Sequence, residues 1–277
     1  MLSLAGHDPA HIYFTGRSQP SADKVVEEAK AKHPTSKVTF IKCDLTSLDS
    51  VKQCAQEFLT KETRLDLLFA NAGVMASPAA LTQEGYEIQF GTNHVGHALL
   101  VKLLTPTLKK TAKEGGDVRI VWDSSVAFKM HPSGGIQFDK VKTKQEDISP
   151  AGAPWVRYGQ SKLANLLYAR AYAKHHPGIT SVAIHPGVAM TNLAKGTFTR
   201  YMVYATSWWM MVPPEACAWN QQWAATAKLG KGEKEVESGK YYEPVGSKGA
   251  LSRMAGNEEL AEKLWTWTEK ELEGYNL

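Results

Sequence analysis

Cysteine is scarce in this sequence, and the cysteines present form no pattern. There are only three among 277 residues, Cys43, Cys54 and Cys217, and none belongs to a CxxC pair. An odd, widely spaced set argues against a disulfide framework and against a zinc site. His94 and His97 have no HExxH context, so no metal site is predicted. The composition predicts a reducing, cytoplasmic compartment.

Long apolar runs are also missing. The most apolar stretch, "YMVYATSWWMMV" at 201–212, is shorter than the roughly 20 residues that a transmembrane helix needs. It is interpreted as a packed helix or a substrate lid, with an interface or a membrane-resting helix as alternatives. The N-terminus lacks a basic region followed by a long apolar segment, so no signal peptide is predicted.

A strong charge of one sign is the third absence. The net charge is +4, and no basic stripe is interleaved with aromatic residues. A nucleic-acid partner is therefore not predicted. With 43% hydrophobic residues, residues 1–277 suit a single globular domain with a sizeable core. The expected partner is a small molecule, and a homodimer is compatible with the sequence.

Short apolar runs alternate with helical patterns along the whole chain. Strands are predicted at 11–16, 37–45, 65–73, 117–125, 179–187 and 239–246, and helices at 21–33, 47–62, 85–111, 158–176, 215–228 and 257–272. Apolar runs of this kind are typical of strands that are covered on both faces. The pattern predicts an α/β fold with a doubly wound parallel sheet, in which ligands bind beyond the carboxyl ends of the strands.

The stretch "RYGQSKLAN" at 157–165 combines a phenol and an amine on one helix. Tyr158 and Lys162 are four residues apart and therefore share a face. A nearby cation favours phenolate, so this pair can give a proton to a carbonyl oxygen or take one from an alcohol. The spacing alone is common, and an ordinary surface helix is the simpler interpretation when it is considered by itself.

The sequence resembles the short-chain dehydrogenase/reductase family in several motifs that follow one another in the family's order. They are "CDL" (43–45), "NAG" (71–73), "GTNHVGHALL" (91–100), "VWDSS" (121–125), "YGQSK" (158–162) and "HPGVAMTNL" (185–193). The best match is to retinol-dehydrogenase-like reductases, particularly those of fungi, which share the long insert at 126–157. The resemblance implies a Rossmann-like fold and hydride transfer between a nicotinamide cofactor and a carbonyl or alcohol of an apolar small molecule.

The resemblance also implies roles for particular residues. Tyr158 would be the general acid/base, and Lys162 would lower its pKa and bind the nicotinamide ribose. Ser125, rather than Ser124, would hydrogen-bond the substrate oxygen. Asn93 would hold a water that completes a proton relay.

Further residues would bind the cofactor. Arg17 and Ser18 follow the first predicted strand, where an Arg accommodates the 2′-phosphate of NADP and an acid would select NAD. The cofactor is therefore expected to be NADP(H). The other residues assigned to cofactor binding are Asp44, Leu45, Asn71, Ala72, Gly73, Tyr158, Lys162, Pro186, Gly187, Val188 and Thr191.

One part of the family pattern is absent, the TGxxxGxG turn that brings backbone N–H groups to a diphosphate. The opening "LSLAGHDPAHIYF" resembles the segment after that turn, so the first strand, in the middle of the sheet, is expected to be missing. The strands at 11–16 and 37–43 would then lose their bridge to the strand at 65–70. Three explanations are open: a misplaced start codon or lost exon, a remnant that no longer binds cofactor, or another segment that fills the gap.

The first two explanations are favoured, and they leave two classes of function. The chain is either an enzyme, as its complete set of catalytic residues indicates, or a non-catalytic binding or scaffold protein on a dehydrogenase fold.

Overall fold

The fold alternates strands and helices, as the sequence predicts. The computed structural model describes residues 11–187, 213 and 216–277. The strands are β1 (Ile12–Gly16), β2 (Val38–Lys42), β3 (Leu67–Ala70), β4 (Arg119–Asp123), β5 (Thr180–Ile184), β6 (Tyr241–Glu243) and β7 (Ser247–Lys248). The helices are α1 (Gln19–Lys32), α2 (Leu48–Lys61), α3 (Ile88–Phe90), α4 (Gly96–Lys113), α5 (Ala153–His175), α6 (Cys217–Thr226) and α7 (Glu258–Glu271). A π-helical turn, Gly91–Val95, joins α3 to α4, and a 3₁₀ helix, Val126–Met130, follows β4.

The strands form two sheets. One holds β1 and β2 in parallel, and the other has the order β3-β4-β5-β6-β7, with only β7 antiparallel to its neighbour. In the part of the chain that the structure describes, no strand pairs with both β1 and β3. Among the described residues the two sheets are therefore separate, and the predicted absence of a bridging strand stays a prediction for the chain as a whole. The two-residue strand β7 was not predicted, because so short an element has no periodicity to detect.

The core lies around the five-stranded sheet. Every residue of β4 is buried, and more than half of the residues of α4 and of α5 are buried as well. The core extends from Ile41 in β2, through Val51 in α2, to Leu264 in α7. Apolar side chains on both faces of β4 explain why its sequence reads as a continuous apolar run.

The helix that carries Tyr158 begins earlier than predicted. It starts at Ala153, after Gly152 in the left-handed region (φ 76°), and has a proline in its first turn. Pro154 fits there because the first N–H groups of a helix have no intrahelical acceptor. Tyr158 consequently lies in the second turn, where helical hydrogen bonds fix its backbone.

Among the described residues, no helix is long and apolar enough to cross a membrane. The apolar stretch 201–212 lies outside these residues.

Candidate active site

The parallel strands bring part of the predicted site residues to one edge of the five-stranded sheet. Asn71 follows β3, Ser125 follows β4 and Pro186 follows β5. Asn71 and Ala72 are exposed, while Ser125, Pro186 and Gly187 are half-buried. Tyr158 and Lys162, on α5, are only 6% and 5% exposed. At this edge, solvent thus reaches Asn71 and Ala72 at the end of β3 but hardly reaches Tyr158 and Lys162.

Lys162 is held by the end of β4. Its Nζ donates a hydrogen bond of 2.9 Å to the main-chain oxygen of Asp123. The same ammonium lies 5.7 Å from the centroid of the Tyr158 ring. The predicted pair therefore shares a face of α5, with the amine against the phenol ring and anchored to the sheet.

The two serines after β4 have different partners. The Ser124 hydroxyl is buried and donates to the main-chain oxygen of Lys162 at 2.8 Å. Ser125 is half-buried. Its hydroxyl accepts the N–H of Ala127 at 3.2 Å, and its interaction with Tyr158 lowers the pKa of that phenol. Ser124 therefore fastens the strand to α5, whereas Ser125 is the serine that meets the phenol.

A glycine fixes the distance between these two segments. A Cβ at Gly159 would lie 2.7 Å from the main-chain oxygen of Ala127 and 2.7 Å from the carbonyl carbon of Met130. Any larger residue would push the 3₁₀ helix away from α5, since real Cβ atoms do not approach backbone atoms so closely. Gly159 thus allows the segment that starts with Ser125 to pack beside Tyr158.

Asn93 joins three parts of the site. It lies in the π-helical turn and is fully buried. Its Oδ1 accepts the N–H of Val74 at 2.8 Å, and its Nδ2 donates to the Val74 main-chain oxygen and to the Ser161 hydroxyl, both at 2.9 Å. The side chain therefore ties the loop after β3 to α5, and its part in a water relay stays a prediction.

The contact of Asn93 with this loop also explains the glycine of "NAG". A Cβ on Gly73 would lie 2.7 Å from Asn93 Oδ1. Close approach, rather than a positive φ, is the reason that a glycine fits at this position.

Burial dominates the proton affinities of the pair. It raises the pKa of Tyr158, a hydrogen bond from Ser125 opposes this, and the negative charge of Asp123 adds to it. Burial lowers the pKa of Lys162 to about 8, against the attraction of Asp123. The ammonium is therefore a stronger acid than that of an exposed lysine.

Asp123 is a site residue that the motifs did not reveal. It ends β4 with only 4% exposure, and burial raises the pKa of its carboxyl to about 7. Its Oδ2 accepts from Gln221 Nε2 at 2.7 Å. The sequence did offer a signal for Asp123, because it is a charged residue that ends an apolar run two positions before Ser125. It offered no signal for Gln221 on α6.

The residues assigned to the adenosine end lie at the ends of β1 and β2. Arg17 is exposed, and the Ser18 hydroxyl caps α1 by accepting the N–H of Ser21 at 3.4 Å. Asp44 Oδ1 accepts from the N–H and the hydroxyl of Thr46 at 3.0 and 2.8 Å.

The remaining assigned residues divide into two groups. Leu45 packs against Gly96 at the start of α4. Val188 and Thr191 lie outside the described residues.

Comparison with known proteins decides the family. The family model of the short chain dehydrogenase matches residues 3–138. An oxidoreductase of Schizosaccharomyces pombe is 35% identical over 94% of this chain and 77% of its own length. A short-chain dehydrogenase/reductase of Aspergillus calidoustus is 35% identical over 97% of this chain and 87% of its own. This chain belongs to the short-chain dehydrogenase/reductase family.

The relatives of this dehydrogenase/reductase extend to animals. Mouse retinol dehydrogenase 12 is 33% identical over 92% of this chain and 76% of its own length. Retinol dehydrogenases and fungal reductases are thus both among its relatives, as the motifs predict. The chain is an oxidoreductase by family.

Solved structures confirm the fold of this dehydrogenase/reductase. An uncharacterised protein of Mycobacterium paratuberculosis superimposes with a TM-score of 0.70 at 27% identity, covering 97% of this chain and 86% of its own. The NADPH-bound carbonyl reductase of chicken fatty liver gives 0.61 at 20% identity, covering 90% and 94%. The Rossmann-like α/β class is therefore shown.

Proposed function

We propose that this chain transfers a hydride between NADP(H) and a carbonyl or alcohol group of an apolar small molecule, with Tyr158 as the general acid/base. The observation that carries the proposal is the arrangement around the Tyr158 hydroxyl. Ser125 interacts with that phenol and lowers its pKa, and the Lys162 ammonium lies 5.7 Å from the centroid of the same ring. A donor beside the reacting oxygen and a cation behind the phenol are what proton transfer to a developing alkoxide requires.

Polar and charged residues of the chain are suited to bind both the adenosine end and the nicotinamide end of a nicotinamide dinucleotide. Arg17 is exposed, and α1 begins right after it with no acidic residue in its first turn, which suits a phosphate. Lys162 would hold the nicotinamide ribose, and Pro186 and Gly187 the carboxamide. Asp44 would meet the adenine. Residues 11–187, 213 and 216–277 contain no glycine-rich strand-to-helix turn for the diphosphate.

The bound dinucleotide would supply or accept the hydride, and the chain would handle the proton. In reduction, Ser125 donates to the substrate oxygen and Tyr158 gives its proton to the alkoxide as charge develops there. In oxidation, the Tyr158 phenolate takes the proton from the alcohol. In both directions the positive charge of Lys162 stabilises the phenolate.

An apolar substrate is supported by the names of two relatives. Mouse retinol dehydrogenase 12 and human polyprenol dehydrogenase, which are 33% and 32% identical to this chain, are named for long-chain apolar alcohols. The substrates that test this proposal are therefore apolar alcohols and the corresponding aldehydes.

The experiment compares Tyr158→Phe with the parent chain. Turnover of an apolar aldehyde should fall by about 10²–10⁴-fold, because the proton donor is lost while the ring remains. Saturable binding of NADPH, followed by its fluorescence, should be retained. Tyr172→Phe is the matched control, since Tyr172 lies on the same helix and bonds Thr105 at 2.9 Å, away from the site. Equal turnover in Tyr158→Phe and the parent would refute the role.

A second function is favoured by the separation of the two sheets among the described residues. If this separation prevents dinucleotide binding, the chain is a non-catalytic binding protein on a dehydrogenase fold. Absence of saturable NADPH binding by the parent chain would support this second function and overturn the first.

A further inference from the structure

A buried carboxyl group at the end of β4 is not explained by the proton transfer described above. Asp123 follows three buried apolar residues, Ile120, Val121 and Trp122. Burial of an ionised carboxylate among apolar residues is costly unless other groups compensate its charge. Its surroundings should therefore show what the charge does.

The hydrogen bonds of the Asp123 side chain are incomplete. Oδ2 accepts from Gln221 Nε2 at 2.7 Å, and the same nitrogen donates to Asn71 Oδ1 at 2.7 Å. Both hydrogens of that amide are thus used, which fixes its orientation. Oδ1 is buried and has no hydrogen-bond partner among the described residues. Oδ2 of the carboxylate is therefore held by a hydrogen bond, whereas Oδ1 has none among the described residues.

Lys162 is a cation that lies near this charge and feels its attraction. Its Nζ binds the main-chain oxygen of Asp123 itself at 2.9 Å, so the ammonium and the carboxylate belong to neighbouring groups. Both are almost fully buried, where the interaction of opposite charges is screened far less than in water. The same carboxylate disfavours a negative charge on Tyr158. The two members of the catalytic pair therefore feel one buried anion.

Asp123 and Lys162 have pKa values that lie close together. Burial raises the pKa of Asp123 to about 7 and lowers the pKa of Lys162 to about 8. The other titratable groups that face the cluster come from α4, the end of β5 and α6, and they are His97, His185 and Cys217. Burial lowers the pKa of both histidines to about 4 and raises the pKa of the thiol. All three are therefore neutral near neutral pH, and within the described part of the chain the Asp123 carboxylate is the anion that acts on Lys162.

We propose that Asp123 is a positioning residue whose carboxylate is the counter-charge that holds Lys162 as an ammonium and opposes formation of the Tyr158 phenolate. It acts through the lysine and the phenol and does not touch the substrate. This inference rests on the proposed function, because the pair matters for turnover only if Tyr158 transfers a proton. Gln221 supports the role by hydrogen-bonding the carboxylate and linking it to Asn71.

The first test measures Lys162 directly in the folded chain without any cofactor. Isotope-labelled lysine is titrated by NMR, and the Lys162 signal is identified by its loss in Lys162→Met. Asp123→Asn keeps the shape and an acceptor for Gln221 but removes the charge. Its Lys162 midpoint should fall by about one pH unit, because the ammonium loses its attraction. Asp66→Asn, which neutralises an exposed carboxylate before the opposite end of β3, should leave the midpoint unchanged.

A second variant keeps the test valid if Asp123→Asn does not fold. Gln221→Met retains the carboxyl group but removes its hydrogen-bond donor, which weakens the carboxylate form. The Lys162 midpoint should fall in this variant too, by less than in Asp123→Asn. A midpoint that is unchanged or higher in whichever of the two variants folds would overturn the inference.

The pH profile of turnover is the second readout. In Asp123→Asn, the pH of half-maximal alcohol oxidation should shift, because the substitution removes the anion beside the phenol and also lowers the pKa of Lys162. Asp123→Glu restores a carboxylate and should move the profile back towards that of the parent. If the parent shows no turnover but the Lys162 midpoint falls as expected, the proposed function fails and the counter-charge stands. If the parent is active and neither readout moves in Asp123→Asn, the inference fails and the proposed function stands.

Discussion

All five residues of β4 are buried, whereas none of the five residues of β1 is. The helices repeat this contrast, because α1 buries only Ala22 and Ala29 while α5 is buried along most of its length. The groups assigned to proton transfer lie in the five-stranded region, and Arg17 and Ser18 lie in the two-stranded region. The more deeply buried region thus holds the groups assigned to proton transfer, and the less buried region carries the residues expected to select the cofactor.

The largest expected difference is in stability. Ile120→Ala should lower the free energy of unfolding by about 2–5 kcal/mol, since Ile120 in β4 is fully buried. Phe14→Ala in β1 removes a larger side chain but should cost less, because Phe14 is half-exposed and packs on Phe40. Denaturant unfolding followed by circular dichroism measures both. An equal or larger loss at Phe14 would break the comparison.

A second expected effect is the loss of folding stability at acidic pH through the buried His97. Burial lowers the pKa of His97 to about 4; its bond to the Asn93 carbonyl opposes this shift, and the charge of Lys162 adds to it. The unfolded chain takes up this proton near pH 6.5 and the folded chain does not, so stability falls as the pH drops from about 6.5 to 4. His97→Gln should remove up to about 3 kcal/mol of that loss.

The measurement for His97 is the free energy of unfolding as a function of pH. Values near pH 8 give the packing cost of the substitution, because His97 is neutral there in both states. Subtracting that cost isolates the proton-linked part. Identical slopes below pH 6.5 in His97→Gln and the parent would contradict the expectation.

The packing of α5 against the segment after β4 gives a third, smaller effect. Gly159→Ala would place a Cβ 2.7 Å from backbone atoms of Ala127 and Met130, and it should cost about 1–3 kcal/mol. Because the displaced segment starts at Ser125, kcat should fall as well. Gly178→Ala, where no atom lies within 4 Å of an added Cβ, is the control and should leave kcat unchanged.

The smallest expected effect on stability belongs to the two-stranded region. Arg17→Ala should change the free energy of unfolding by no more than about 0.5 kcal/mol, because Arg17 is exposed. It should nevertheless raise the Kd of NADPH by about tenfold or more and leave that of NADH unchanged, since a charge-assisted contact with the 2′-phosphate is lost. Lys24→Ala, also exposed on α1, is the matched control. Equal weakening of both dinucleotides by Arg17→Ala would remove the basis for NADP(H).

The sequence was sufficient for the order of the larger strands and helices of the described residues. Short apolar runs bounded by turns identify strands that are buried on both faces, and β4 and β5 are such strands. The early start of α5 was missed, although Pro154 marks a helix beginning, because Trp155 and Val156 were assigned to the insert.

The site was predicted less evenly. The spacing of Tyr158 and Lys162 on one helix follows from helix geometry, so their shared face is a matter of local sequence. The bond from Lys162 to the Asp123 carbonyl, and the contact of Gln221 with Asn71, join residues 39 and 150 positions apart. Contacts at such separations depend on tertiary packing, which residue spacing does not encode.

Lys162 is fastened to a main-chain oxygen, an atom that every amino acid supplies. Substitution at position 123 therefore changes the electrical environment of the amine without removing its anchor. We therefore expect that a single substitution at position 123 can change the pH dependence proposed for the site while Lys162 keeps its place.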